Sequence, residues 1–244
     1  MNRYSIKPGY VARSRADTRE TTGGEYWTPE KIRSAAFYQY EVYRAVRRML
    51  LQRPVGQRRV CDVGCGHPAK LRELLEPVAD RVVGIDQPTV TSQLGRDGSP
   101  MEFRGMDLEA PDGTDLHGAF DLVICADVVE HLLDPDPCVR FLGALLRPDG
   151  IAVVSTPERD IMRGPACMTS PKAVHVREWN ASEFAEYLGA HGFTIRRHVL
   201  LPKGRVSRVQ RLVRLLPRRS ADLNGCQMVV CTFSPPSRRG SPLA

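Results

Sequence analysis

The sequence predicts an α/β fold: a doubly wound, seven-stranded, mostly parallel sheet preceded by an N-terminal helical segment. Three observations carry this. From about residue 58 onward, short apolar runs alternate with helical patterns, the signature of strand–helix–strand units. The run 122–126 holds no polar residue, which suits a strand covered on both faces. The first four predicted strands each end on or beside an aspartate, placing four carboxylates along the rim where open parallel sheets bind ligands.

The elements follow in order. Residues 1–25 are polar and Gly-containing, and are expected to be flexible at the start. Thr28 is an N-cap type and Pro29 suits the first helical position, so a helix is predicted over 28–51, with Ile32, Ala35, Ala36, Tyr43, Val46 and Leu50 on one stripe. "RRVCDVG" is the first strand, followed by a helix over 68–78. "RVVGID" is the second strand, with a short helix near 89–94. "MEFRGMD" is a weaker third, and "FDLVICAD" a strongly apolar fourth, followed by helical segments to 146. "GIAVVSTP" is the fifth. Asn180-x-x-Glu183 has the capping-box pattern of a further helix, closed by Gly192. "FTIRRHVLL" and "CQMVVCTFS" supply the last two strands.

Composition narrows the function classes. The 244 residues, 42% hydrophobic, are enough for one sizeable core. No apolar run reaches the length of a membrane span, and the first thirty residues lack the apolar segment of a secretory signal. Seven cysteines without a C-x-x-C pair argue against a disulfide scaffold and a zinc ribbon; a reducing cytoplasm is expected. The net charge of +7 is concentrated in 201–220, where Lys203, Arg205, Arg208, Arg211, Arg214, Arg218 and Arg219 stand without an acid. A solvated amphipathic helix is the commonest reason for such a stretch. An acidic carrier protein or membrane surface is the next candidate partner. RNA comes third, because aromatics that would stack bases are missing there.

The turn after the first strand, "VCDVGCGHPAKL", contains Gly64-x-Gly66-x-x-Ala69. Its glycines alone fit a dinucleotide fingerprint. Asp62 argues otherwise: two unit charges at 4 Å interact by roughly 4 kcal/mol at an effective dielectric near 20, so a pyrophosphate beside it would be repelled. A cation would be attracted. Asp86, 22 residues after Gly64, suits a ribose diol with either ligand.

A positively charged, phosphate-free nucleoside fits this pattern, and here the chain resembles the class I S-adenosylmethionine-dependent methyltransferases, of the kind that O-methylate small molecules. "VCDVGCG" is similar to the family's glycine motif, "VVGID" to its ribose strand, "MDLEA" to its adenine position and "FDLVICADVVEHL" to its fourth-strand motif. "LRPDGIAVVSTP" matches the helix and fifth strand, and "CQMVVCTFS" the antiparallel edge strand. The resemblance implies a Rossmann-like sheet and S-adenosyl-L-methionine as cofactor. It assigns Gly64, Cys65 and Gly66 to close backbone approach, Asp62 to the methionine end, Asp86 with Gln87 to the ribose, and Asp107 with Leu108 to the adenine; Asp127 joins the same site. Pro68 stands where the family often has a third glycine.

The sulfonium already activates the methyl group, so the protein has to align a nucleophile and, for a hydroxyl, remove a proton. If Asp127 begins a helix, Glu130 and His131 share its face at i+3 and i+4. His131 and, from "HVREW", His175 are the candidate catalytic bases. The same layout resembles metal-dependent O-methyltransferases of ubiquinone synthesis and of small-RNA 3′ ends, with Asp127 in place of their first glutamate. The Glu-His pair also recurs in metal-free members, so a divalent metal is possible but not favoured.

Residues 1–55 are expected to form an N-terminal extension and lid helix, 56–236 the methyltransferase core with a basic insertion at about 201–222, and 237–244 a tail. Tyr26 and Trp27 would stack on the acceptor or cover the cofactor. Residues 157–180 form the other wall, where Arg159, Arg163 and Arg177 would grip an anionic acceptor. The expected acceptor is a hydroxyl on a small metabolite such as a sugar or natural product. An RNA 2′-O-methyltransferase is the alternative enzyme, and a non-catalytic cofactor-binding interaction protein the alternative of another class.

Overall fold

A computed structural model describes residues 2–14, 28–94, 100–207 and 224–234. Seven strands form one sheet: β1 (Arg59–Val63), β2 (Arg81–Asp86), β3 (Glu102–Gly105), β4 (Phe120–Ala126), β5 (Leu146–Pro157), β6 (Phe193–Leu201) and β7 (Cys226–Phe233). Their order is β3-β2-β1-β4-β5-β7-β6. The pairs among β1 to β5 are parallel, and β7 runs antiparallel to both of its neighbours. The doubly wound expectation therefore holds, with one correction. The antiparallel strand is not at the edge but inside, with β6 outside it. Its buried run from Cys226 to Cys231 shows why, since a side-by-side apolar strand needs cover on both flanks and faces.

Every residue of β4 is buried, as its apolar run requires. One face of the sheet packs on α4 (Asp136–Leu145) and α6 (Ala181–Ala190), through Val123, Cys125, Phe141, Leu145, Phe184 and Leu188. The other packs on α2 (Tyr40–Leu51), through Val60, Leu122, Ile124, Val42, Val46 and Leu50. Asn180 caps α6 with the reciprocal Glu183 bonds that the sequence pattern predicts.

The structure departs from the sequence expectation in four other places. The single helix over 28–51 is two: α1 (Pro29–Phe37) ends at Tyr38, and Gln39 takes a left-handed φ of 54° before α2 starts. The helix after the glycine turn opens with an i–4 bond from Arg72 N to Pro68 O but closes with an i–5 bond from Glu76 N to Leu71 O, and Leu71–Leu75 is π-helical. Residues 127–135 form turns, and helix resumes only at Asp136, because Asp127 also has a positive φ, of 54°. The N-terminal residues described are not loose. Ile6 and Tyr10 are buried, Trp179 Nε1 donates to Tyr4 O, and Tyr10 Oη accepts from Glu178 N. Polar composition concealed this because two apolar side chains suffice to anchor a strap.

All seven cysteines are free thiols. Among the described residues, no helix is long and apolar enough to cross a membrane.

Candidate functional site

The carboxyl ends of β1 and β4 meet at a cleft of about 270 Å³. Gly64, Cys65, Gly66, Lys70, Ala126 and Asp127 form its sheet side, and Ser34, Ala35 and Gln39 its cover. Gly64 has φ +77°, and a Cβ there would run into Val128. The turn is pinned to β2: Gly64 N and Cys65 N donate to Ile85 O at 2.7 and 3.0 Å, and Gly66 N to Asp86 Oδ2 at 2.8 Å. Cys65 turns its thiol down against Gly84, leaving only its backbone toward the cleft.

The four rim acids prove unequal. Asp86 is half-buried, with Oδ1 accepting from Gln87 N and Oδ2 from Gly66 N. Burial raises its carboxyl, and those two N–H bonds oppose the rise. One lone pair on each oxygen stays available for a diol. Asp107 is exposed and accepts from Glu109 N, while Leu108 is buried beside it. Asp127 spans from sheet to cover: Ser155 Oγ donates to its Oδ1 at 3.1 Å and Gln39 Nε2 to its Oδ2 at 2.8 Å.

Asp62 does not sit as the charge argument expects. It is wholly buried, its Oδ2 accepts from Tyr43 Oη at 2.7 Å, and its Oδ1 has no hydrogen-bond partner. Burial pushes its carboxyl well up, against Tyr43 and Lys70. It acts from beneath the turn, not as a surface contact. Lys70, in turn, is pushed down by burial.

Beyond Asp127, the turn 128–131 brings Glu130, His131 and His175 together, with one potential ligand atom from each within 4.8 Å of the others. The rings of His131 and His175 meet edge to face at 4.8 Å. His131 Nδ1 lies 2.7 Å from Val174 O, which can only accept, so that nitrogen carries the proton and Nε2 is the open lone pair. His175 Nδ1 lies 2.6 Å from Glu178 Oε1. Burial would raise Glu178, but His175 and Arg163 outweigh it and hold the carboxyl at about 2, so Glu178 is an anion that orients the ring. His131 is exposed. The protein atoms crowded around it, with His175 next, push its pKa below the ordinary histidine value. Glu130 is fully buried, neither oxygen has a hydrogen-bond partner, and burial, with Asp127 next, pushes its carboxyl well above the usual range.

The donor set of two open imidazole nitrogens and one unpartnered carboxylate fits a divalent cation, with Val174 O and Glu178 as the outer partners that fix the rings. The set comes from a turn and a loop, not from one helix face as the sequence spacing suggests.

The arginines expected to grip an acceptor are committed elsewhere. Arg159 is fully buried and donates to Glu183 at 2.6 and 3.1 Å. Arg163 pairs with Glu178 at 3.2 Å. Arg177 is buried, donates to Leu132 O and Leu133 O, and lies over the Tyr4 ring at 4.1 Å. The wall needs these bonds because 157–180 contains only one short helix, α5 (Arg159–Arg163), and its many loop carbonyls and carboxylates require donors. Arg159→Met should therefore cost about 3–5 kcal/mol of folding stability, the usual cost of leaving a buried partner unpaired. Urea unfolding checks this, and a change under 1 kcal/mol would contradict the assignment. Tyr26 and Trp27 lie outside the described residues, as does most of the basic stretch. Of that stretch, Arg205 pairs with Glu73 at 3.0 Å, and Lys203 Nζ stands 5.5 Å from the Tyr38 ring centre.

Sequence reasoning missed Gln39, Tyr43, Lys70 and Glu178. Glu178 had a signal, three residues after His175.

A family profile described as a methyltransferase domain matches residues 34–198. A probable S-adenosylmethionine-dependent methyltransferase of Mycolicibacterium smegmatis is 33% identical over 162 residues, 65% of this chain and 60% of that protein. A ubiquinone biosynthesis O-methyltransferase of Bordetella avium is 29% identical over 158 residues, 62% of this chain and 63% of that protein. The chain thus spans less than two thirds of the length of either relative. In fold, it is similar to an S-adenosylmethionine-dependent methyltransferase of Mesorhizobium loti (TM-score 0.56, 20% identity, 77% of this chain and 95% of that one). It is also similar to the 1,6-didemethyltoxoflavin-N1-methyltransferase of Burkholderia thailandensis, solved with S-adenosylhomocysteine (TM-score 0.57, 22% identity, 80% and 78%).

Proposed function

Because this chain belongs to the class I S-adenosylmethionine-dependent methyltransferase family, we propose that it methylates a hydroxyl group of a small metabolite, with His175 and His131 as the proton acceptors. The observation that carries this reading is the pair of imidazoles whose Nε2 atoms are left open by the bonds at Nδ1. A hydroxyl is a poor nucleophile until its proton has somewhere to go, whereas an enolate or a free amine places less demand on a base. Neither ring is among the residues that line the cleft; His131 follows Asp127, which does, by four residues.

In this reading Gly64, Cys65 and Gly66 give the cofactor its close backbone approach. Asp86 takes the ribose hydroxyls with Gln87 alongside, and Asp107 and Leu108 hold the adenine. Helix α1 serves as the lid. Asp62 acts on the cationic end through its field, and Asp127 holds Gln39 and so the cover. Tyr26 and Trp27 remain proposed acceptor contacts. The Mycolicibacterium and Bordetella relatives are consistent with this: their names give a methyltransferase and an O-methyltransferase.

A second reading is favoured by the orphaned Glu130 carboxylate. Glu130, His131 and His175 would hold a divalent cation, which would polarise the acceptor oxygen and lower its pKa. The two readings part in one experiment. Methyl transfer from labelled S-adenosylmethionine to a panel of hydroxyl metabolites is measured before and after exhaustive chelation. Unchanged activity after chelation supports the histidines alone; loss that magnesium or zinc restores supports the cation. Label found only on nitrogen or carbon acceptors would sink the hydroxyl assignment. Tight cofactor binding without turnover across the panel would favour an interaction protein.

A second expected outcome concerns the ribose. Asp86→Ala should weaken S-adenosylhomocysteine binding by about 10- to 100-fold, as loss of a charged acceptor of two hydroxyls does. Calorimetry reads this directly.

A further inference from the structure

We infer that the methyl acceptor carries an anionic group, a carboxylate or a phosphate monoester, and that Lys172 and Lys203 hold it between them beside the two histidines. The inference rests on the reading of His131 and His175 as the acceptor's part of the site, and deepens it by naming the chemical class of the substrate.

Arg159, Arg163 and Arg177 are engaged by the protein itself, so an anion has to find other cations. Lys172 is placed by the histidine site. Its backbone N–H donates to Ser170 Oγ at 3.2 Å, and its carbonyl accepts from His175 N at 3.1 Å. The turn closed in this way presents Val174 O to His131 Nδ1. Lys203 arrives from elsewhere in the fold, just after β6. Its carbonyl accepts from Gln39 N at 2.9 Å, and its Nζ stands 5.5 Å from the Tyr38 ring centre. One lysine is thus rooted in the turn that carries His175, the other in the cover of the cleft.

Both lysines are half-buried, and among the described residues neither ammonium has a carboxylate within ion-pair distance. A cation taken partly out of water ordinarily has one. The two also act on each other. Burial lowers the Lys172 pKa, and Lys203 and then Arg163 lower it further. Glu130 and Glu178 act the other way, each by less. Neither acid is a free counter-ion. Glu178 is shared among His175, Arg163 and Ser170, and burial holds the Glu130 carboxyl toward its neutral form. Lys172 in turn helps to depress His131, so this cation lies within electrostatic range of a proposed base.

An anion between the two ammoniums would pair both and offset their repulsion. Carried on the acceptor, it would also fix where the hydroxyl stands relative to the imidazoles. A neutral molecule of the same shape would leave the repulsion in place, so the pair selects for charge.

The test uses inorganic phosphate and benzoate as probes, on the full chain with S-adenosylhomocysteine bound so that the cofactor's own cleft is filled. The Nζ and Cε resonances of isotope-labelled lysines are followed by NMR at constant ionic strength. Lys172→Arg and Lys203→Arg, which keep the charge, assign the two signals. At least one probe is expected to move both signals along one saturating curve in the millimolar range, and to raise the Lys172 pKa toward the ordinary value of about 10.4. In Lys172→Met the same curve, read at Lys203, should weaken by about 10-fold or more, as loss of a charge-assisted partner does. Saturation by phosphate alone assigns a phosphorylated acceptor, by benzoate alone a carboxylate, and by both an anion of either kind. No saturable shift with either probe overturns the inference, as does a Lys203 curve unchanged in Lys172→Met. No methyl is transferred in this titration. Label found only on nitrogen or carbon acceptors would therefore remove the hydroxyl reading and leave the anion site standing, and the reverse also holds.

Discussion

Replacing His175 by alanine is expected to slow methyl transfer by about 10²–10⁴-fold while leaving cofactor affinity within about threefold of wild type. The asymmetry follows from placement. The ring clusters with Glu130 and His131 and does not line the cleft, whereas Gly64, Cys65 and Gly66 do. His175 is held by an ionised Glu178 at 2.6 Å, so its Nε2 is aimed before any acceptor arrives. Glu178→Gln should keep the ring but loosen its tautomer, giving a smaller loss than His175→Ala. His131→Ala is expected to act on the pH profile. Its folded pKa is lowered, so the neutral, proton-accepting form persists on the acid side of the ordinary histidine range near 6.5. The acid limb of kcat should accordingly lie below that value in wild type. The linked stability has the same sign: the unfolded chain binds the proton that the folded chain refuses, so stability falls as pH drops through the unfolded histidine pKa. Full turnover in both alanine variants would remove the histidines from the mechanism.

Gly64→Val is expected to abolish measurable cofactor binding and to destabilise the fold. Gly64 sits at φ +77°, where a β-branched residue is strained, and a Cβ there meets the Val128 side chain. The strain is worth roughly 1–2 kcal/mol and overpacking about 1–3 kcal/mol more. The turn has little freedom to absorb this, because both of its first two N–H groups are bound to Ile85 O. Displacing it also pulls Gly66 off Asp86, so the ribose acceptor moves with it. Calorimetry with S-adenosylhomocysteine and urea unfolding measure the two effects separately. A variant that binds normally would show that close backbone approach at this position is not required. The gentler Gly64→Ala should fall between.

Much of the fold was legible because burial is written in composition. The run 120–126 admits no polar side chain on either face once Asp121 has turned its carboxylate to Arg59, and that alone places β4 at the centre of a covered sheet. The interior position of β7 was not legible, since antiparallel pairing leaves no mark that separates a middle strand from an outer one when both are apolar. Asp127 was misread for a related reason. An aspartate after a strand reads as a helix cap, but its left-handed backbone and its bond from Gln39 depend on a residue 88 positions away. Arg159, Arg163 and Arg177 failed most plainly. Sequence gives an arginine its charge but not its partner, and Glu183, Glu178 and the carbonyls after His131 had already claimed them. The convergence of His131 with His175 was expected in kind, whereas the orphaned Glu130 and the anchoring Glu178 emerged only in three dimensions.

The reversal of β7 has a consequence for the arginine-rich stretch between 201 and 226. With β6 running the same way as β1 to β5 and β7 returning, Leu201 and Cys226 pair at the end of the sheet that carries the chemistry. Both roots of that stretch are planted at the doorway: Lys203 O accepts from Gln39 N on one side, and Gly225 abuts Met162 on the other. Of its basic residues, the described Lys203 and Arg205 stand at the first root, beside Tyr38 and Glu73.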